Sequence, residues 1–190
     1  MTTCFGQGCE KCDTCKLEAA NTEKSRRAFD LPDKPFPLEI AAGERPTPGF
    51  IHNDARPLED IEIVCDAVTE LSEIVGEGGA SAVRACHVLE HFPYNETVNI
   101  LSRWGSMLVS GGGLHIEVPN LSWQVNALAT GEISDRDFVY FCFGEQNYPG
   151  NFHCAGFTED ILMDSLVEAG FSHISVTNIG QVLVATATKL

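Results

Sequence analysis

An alternation beginning near residue 38 and running to the C-terminus is what most constrains the fold of this chain. Short apolar runs suited to strands keep changing places with helix-like or polar stretches. "LEIAA" (38–42), "GFIHND" (49–54), "IEIVCD" (61–66), "SAVRACHV" (81–88) and "LHIEVP" (114–119) read as strands. "AVTELSEIV" (67–75) reads as a helix closing on the glycines of "GEGG". "YNETVNILSRWGSMLV" (94–109) is an amphipathic helix stopped by "SGGG". "TEDILMDSLVEAGF" (158–171) is a helix with Thr158 as N-cap and Gly170 as its stop. Parallel strands need crossovers, which intervening helices supply. The last two runs, "HISVTNI" and "QVLVATATKL", are separated by one glycine, too short for a crossover, so they pair antiparallel. The pattern predicts an α/β fold: a mostly parallel sheet with helices on both faces and an antiparallel strand near the C-terminal edge. Residues 120–156 show no regular period.

Ahead of that alternation the chain divides further. Residues 1–16 form a Cys-rich head, and residues 17–37 a short helix followed by the extended linker "LPDKPFP" with its three prolines. Residues 38–190 form the main domain. The formal charge of -15 repels phosphate backbones and anionic lipid heads, which argues against nucleic acid as the main partner. No apolar run approaches the ~18 residues of a membrane-spanning helix, and the polar, Cys-rich start does not read as a signal peptide. The expectation is a cytoplasmic protein with reduced thiols.

In open α/β sheets ligands bind outside the carboxyl ends of the strands, where strand order reverses. That rule selects Gly43 after the first strand, Asp54 at the end of the second, Asp66 at the end of the third and His87 at the end of the fourth. A glycine admits a ligand close to the backbone. A carboxylate ending the second strand can accept both hydroxyls of a ribose, and one after the third can accept from an exocyclic amine. The set suits an adenosyl ligand. Neither a G-x-G-x-x-G fingerprint nor a Walker motif is present, which disfavours a nicotinamide oxidoreductase and a pyrophosphate on a helix N-terminus.

On these residues the chain resembles the class I S-adenosylmethionine-dependent methyltransferases, in particular a small methyltransferase type 11-like branch, over about residues 38–190. "LEIAAG" is similar to the family's first motif, with Glu39 its acid, Ala41 in place of its first glycine, and Gly43. "PGFIHND" resembles the second strand with the ribose-binding acid, Asp54. "VCDA" resembles the adenine-facing segment, Asp66 and Ala67. "ACHVLEHF" and "SGGGLHIEVPNL" resemble the fourth and fifth strands and are the most specific part. The resemblance implies a Rossmann-like sheet, S-adenosylmethionine as cofactor, His87 beside it, and a methyl acceptor bound near His91. The acceptor would be a small molecule or a partner's side chain. With no large insertion to cap the pocket, the site is open or completed by a homodimer partner. Nitrogen-directed members carry a D/N-P-P-Y-like motif where this chain has "HVLEHF", so the expected acceptor atom is oxygen.

Histidine titrates near neutral pH, which makes His91 and His153 the candidate catalytic bases. Asn120 and Glu145 are candidates for orienting the acceptor. His52, His115 and His173, on strands, read as structural. "HVLEH" (87–91) is a literal H-x-x-E-H, the pattern of a zinc peptidase with Glu90 as base, but Pro93 and the preceding strand argue against the helix that pattern needs. Phe138, Tyr140 and Phe141 read as the core face of a helix packed on the sheet, and the other reading of the aromatic stretch 137–152 is stacking on a planar or sugar acceptor. "CFGQGCEKCDTC" places Cys4, Cys9, Cys12 and Cys15 so that four thiolates can converge on one zinc ion, or, less well matched, on an iron–sulfur cluster. A further alternative for the whole chain is a non-catalytic, methyltransferase-like binding module presenting that head to a partner.

Overall fold

The computed structural model describes residues 31–190. The Cys-rich head, its proposed metal ligands and the helix expected before the linker lie outside the described residues.

Seven strands form one sheet: β1 (Phe36–Ile40), β2 (Ile51–Asp54), β3 (Ile63–Val64), β4 (Ala80–Cys86), β5 (Leu108–Pro119), β6 (Phe171–Ile179) and β7 (Val182–Lys189). Their order is β3-β2-β1-β4-β5-β7-β6. The first five pair in parallel, while β7 runs antiparallel to both β5 and β6. The mostly parallel sheet with an antiparallel C-terminal edge is as expected. Among the described residues five α-helices accompany it: α1 (Thr69–Val75), α2 (Thr97–Met107), α3 (Leu121–Thr130), α4 (Asp135–Phe143) and α5 (Glu159–Glu168).

One face of the sheet is apolar by strict alternation. Leu38 and Ile40, Val83 and Ala85, Leu114, Ile116 and Val118, and Leu183 and Ala185 are all buried there. They share a core with Leu71 and Val75 of α1, Leu101 and Trp104 of α2, and Leu162 and Leu166 of α5. Trp104 is fully buried, and its indole N–H donates to the Ala67 carbonyl at 2.8 Å, so the largest core side chain also satisfies its one polar atom. Thr158 caps α5 by accepting from the Ile161 amide, as its position predicts.

The alternate residues of the same strands build a polar row on the other face. Register places Glu39 between His52 and Arg84, and Arg84 beside His115. Glu39 is 3% exposed and bonded to Arg84 and to the Thr47 amide and hydroxyl (2.6 and 2.7 Å). Arg84 reaches on to Glu117 at 3.3 Å. The parallel links β1–β2 and β2–β3 are loops rather than helices, and Glu39 staples the first of them down through Thr47.

Residues 120–156 are more regular than expected: α3 is not foreseen in the sequence, while α4 contains the helix read around Phe138, Tyr140 and Phe141. Their boundaries are set by side-chain caps rather than by apolar period: Asn120 accepts from the Trp123 amide, and Ser134 with Asp137 forms a capping box. The reading of Phe138, Tyr140 and Phe141 as sheet-facing core is overturned. No residue of α4 is buried, and Tyr140 is half exposed. The helix packs on α3 at the carboxyl end of the sheet, so its aromatics belong to a rim and not to the core.

Candidate functional site

Strand order reverses between β1 and β4, the first going to β2 and the second to β5. Both central strands end in a residue with left-handed backbone that is not glycine: Ala41 follows β1 at φ 51° and His87 follows β4 at φ 53°. Such conformations cost of order 1–3 kcal/mol each and collect at functional sites. Beyond these ends opens a cleft of about 690 Å³, well inside the range of small-molecule sites. Its walls come from the β1 loop (Ala42, Glu44), from the stretch after β4 (His87, Glu90, His91), and from the α3–α4 region and the segment following it.

Gly43 and Asp54 meet at the sheet edge beside this cleft, and neither is in its lining. The Gly43 amide donates to the Asp54 carboxylate at 3.0 Å, and the Ala42 amide to the Asn53 carbonyl at 2.8 Å. Gly43 sits at φ 67°, and a Cβ there would find only the Arg56 guanidinium, at 3.9 Å. Space for close approach therefore exists. Asp54 is buried, and its oxygens also accept from the Arg56 amide (2.8 Å) and guanidinium (3.1 and 3.4 Å). Contact with Asp54 raises the Arg56 pKa further, so this arginine is a permanent cation. Its guanidinium lies 4.6 Å over the Tyr148 ring, which fixes it across the cleft. The donor set fits a nucleoside on one condition: a ribose diol must take lone pairs that Arg56 holds here.

Asp66 stands at the same sheet edge, next to Cys65, whose amide reaches the Asp54 carbonyl at 3.2 Å. Its carboxylate turns onto the amides of Val68 (2.9 Å), Thr69 (2.7 Å) and Glu70 (2.9 Å), the start of α1. One lone pair on Oδ2 remains for a ligand. Ala67 follows it, half buried against Trp104. Glu39 does not reach the cleft and serves the polar row on the sheet face instead.

The cleft itself gathers residues remote in sequence. His87, Glu90, His91 and His153 all line the cleft. The rings of His91 and His153 meet edge to face, 5.1 Å between centroids. Contact with Glu90, whose carboxylate lies 3.4 Å from Nδ1, raises the His87 pKa. Burial lowers that of His153. Continuous helix through "HVLEH" is absent: His87 ends the strand region and only Leu89–His91 form a single 3₁₀ turn. The peptidase geometry, with His87 and His91 on one helical face, is therefore not formed.

Glu145 is exposed on the cleft wall. Asn120 is fully buried and committed elsewhere: it caps α3, and its amide group donates to Asn178 and to the Gly180 carbonyl, each at 3.0 Å. It fastens the β6–β7 hairpin rather than orienting an acceptor. His52 and His115 are structural as read, bonded to Glu62 (3.0 Å) and Glu117 (2.8 Å). Sequence reasoning missed Arg56 and buried Gln124, both of them in the cleft lining. Arg56 had a findable signal, its place two residues after a strand-ending acid, whereas Gln124 sits in a helix that no period revealed.

No family model and no curated protein matches this chain. Its fold is similar to many solved structures. One is human N-acetylserotonin methyltransferase in complex with S-adenosylmethionine, 17% identical over 92% of this chain and 53% of that one, at a TM-score of 0.53. A second is a Burkholderia thailandensis 1,6-didemethyltoxoflavin-N1-methyltransferase with bound 1,6-didemethyltoxoflavin and S-adenosylhomocysteine, 20% identical over 93% and 81%, at 0.54. A third is an S-adenosylmethionine-dependent methyltransferase of Thermotoga maritima, 13% identical over 94% and 96%, at 0.55. The chain spans about half the length of the human enzyme. No helix among the described residues is long and apolar enough to cross a membrane.

Proposed function

We propose, from the class I S-adenosylmethionine-dependent methyltransferase fold that these likenesses establish, that this chain transfers a methyl group to an oxygen of a small molecule or of a partner's side chain. The observation that carries the reading is the junction of Gly43 and Asp54 at the mouth of the β1–β4 reversal. Asp54 would hold the ribose, Asp66 and Ala67 would border the adenine, and Ala41, Gly43 and His87 would line the path to the cleft. S-adenosylmethionine supplies, when bound, a methyl group already activated on a sulfonium. The work left to the protein is to place the acceptor in line and to manage its proton. The cleft's aromatic rim, Tyr140 and Phe141 with Tyr148, would offer faces to a planar acceptor, and Glu90, His91 and His153, which line the same cleft, would handle its proton.

Calorimetric titration with S-adenosylhomocysteine and with NAD tests this. Binding of the first alone, abolished by Asp54→Ala, is the expected result. One observation favours a second reading, a binding module without catalysis: Arg56 saturates the carboxylate a ribose would use. No binding of either ligand by the wild-type chain or by Arg56→Ala would decide for that module. Zinc at Cys4, Cys9, Cys12 and Cys15 remains part of the proposal. Metal analysis of the full chain against its four-serine variant checks it.

A further inference from the structure

Glu90 is 1% exposed, and neither of its carboxylate oxygens has a hydrogen-bond partner among the described residues. His87 Nδ1 stands 3.4 Å away, an ion-pair partner on one side of the carboxylate that leaves its other oxygen unengaged. A buried carboxylate left in that state is costly, and buried charges are as a rule paired or on a metal. Two imidazoles stand beside it. One donor atom from each of Glu90, His91 and His153 lies within 4.8 Å of the other two.

Each ring has its Nδ1 engaged by a backbone carbonyl. His91 Nδ1 lies 3.1 Å from the Phe152 carbonyl and His153 Nδ1 lies 2.9 Å from the Phe141 carbonyl. A carbonyl oxygen only accepts, so each Nδ1 carries the proton and each Nε2 is left with its lone pair. Metal-bound histidines ordinarily donate their second N–H in this way. The two halves of the group are also tied by backbone, since the Glu90 carbonyl accepts from the amides of Cys154 (2.7 Å) and Ala155 (3.1 Å).

We propose that Glu90, His91 and His153 bind one divalent transition-metal ion of the zinc class at the floor of the cleft, with coordination positions left open to the cavity. Two imidazoles and one carboxylate suit zinc or ferrous iron, whereas magnesium and calcium prefer oxygen donors. The second triple with ligand-like spacing, Cys86, His115 and Glu117, carries no such argument, because His115 and Glu117 already bond each other at 2.8 Å. The proposed ion would make an acceptor hydroxyl easier to deprotonate, as a metal does for bound water, with His91 and His153 acting as ligands instead of bases. That task rests on the methyltransferase reading, while the metal binding does not.

The test uses the full chain with Cys4, Cys9, Cys12 and Cys15 all changed to serine, which removes the competing thiols. Co²⁺ is titrated into it. We expect one equivalent to bind with visible d–d absorption, no thiolate charge-transfer band, and displacement by Zn²⁺. Glu90→Gln and His153→Gln should each weaken binding by about 100-fold or more, on the scale of ligand-shell losses, while His115→Ala leaves it unchanged. Glu90→Gln removes a buried charge, so its metal-free melting temperature should be no lower than the parent's, which excludes misfolding as the cause. Absence of Co²⁺ and Zn²⁺ binding, or binding undiminished in both Glu90→Gln and His153→Gln, overturns the proposal. S-adenosylhomocysteine titration of Glu90→Gln reads nucleoside binding separately, so a failed metal site and a failed methyltransferase reading are told apart.

Discussion

Arg56 illustrates how one residue decides the state of a site. It pairs with Asp54 and rests on Tyr148. If ribose competes for the same lone pairs, Arg56→Ala should tighten S-adenosylhomocysteine binding several-fold in calorimetry. A weakening would mean that the guanidinium itself contacts the ligand. Cysteine reactivity is another single-residue matter. Burial, more than the neighbouring carboxylates, pushes the Cys65 and Cys86 thiols up to about 12, whereas Cys154 is exposed. Thiolate is the reactive form. Iodoacetamide at neutral pH should therefore label Cys154 well before Cys65 and Cys86, as peptide mass mapping would show.

At the level of elements, the helices have different duties. Helix α2 anchors the core through Trp104, and Trp104→Ala should cost about 3–5 kcal/mol in urea unfolding, the usual range for a large buried aromatic. Helices α3 and α4 instead shape the cleft, and the turn leaving α4 must pass close to His153. Gly144 makes that possible at φ 78°. A Cβ there would come within 3.1 Å of the His153 ring and 3.2 Å of the Phe152 backbone. Gly144→Val should lower the melting temperature, because a β-branched residue is strained at that φ and its Cβ meets backbone, and should weaken any ligand or metal that depends on His153.

Over the whole molecule, the sheet separates an apolar face from a polar one, and the polar row ties four strands together. Removing Arg84 leaves the buried Glu39 without its cation. Arg84→Met should destabilise by about 2 kcal/mol, below the 3–5 kcal/mol of a fully buried pair because the Arg84 side chain is 29% exposed. The row also sets an acid limit. Burial alone would raise the Glu117 pKa, but bonds from His115 and Cys86 and the charge of Arg84 bring it below the ordinary 4.5. A carboxylate depressed in the folded state contributes stability that is complete above its unfolded value and is lost as the pH falls through the folded one. The urea midpoint of the wild type should therefore drop more steeply below about pH 4.5 than that of Glu117→Gln.

Local chemistry alone determined much of this protein. Period and turn residues revealed the strands of the sheet, the antiparallel end, the α5 cap and the edge where Gly43 and Asp54 meet, because each depends on neighbours within a few positions. Helix α3 escaped, since a helix that buries only Gln124 and Ala127 carries no long apolar stripe, and α4 is legible only through its aromatics. The role of Glu90 also stayed hidden. Within "HVLEH" it reads as one acid between two histidines on a helix, yet its burial and its meeting with His153 exist only after the chain returns from α4. Tertiary structure decided that meeting and the hold of Arg56 on Asp54, because burial and convergence are properties of the folded neighbourhood and no short stretch of sequence contains them.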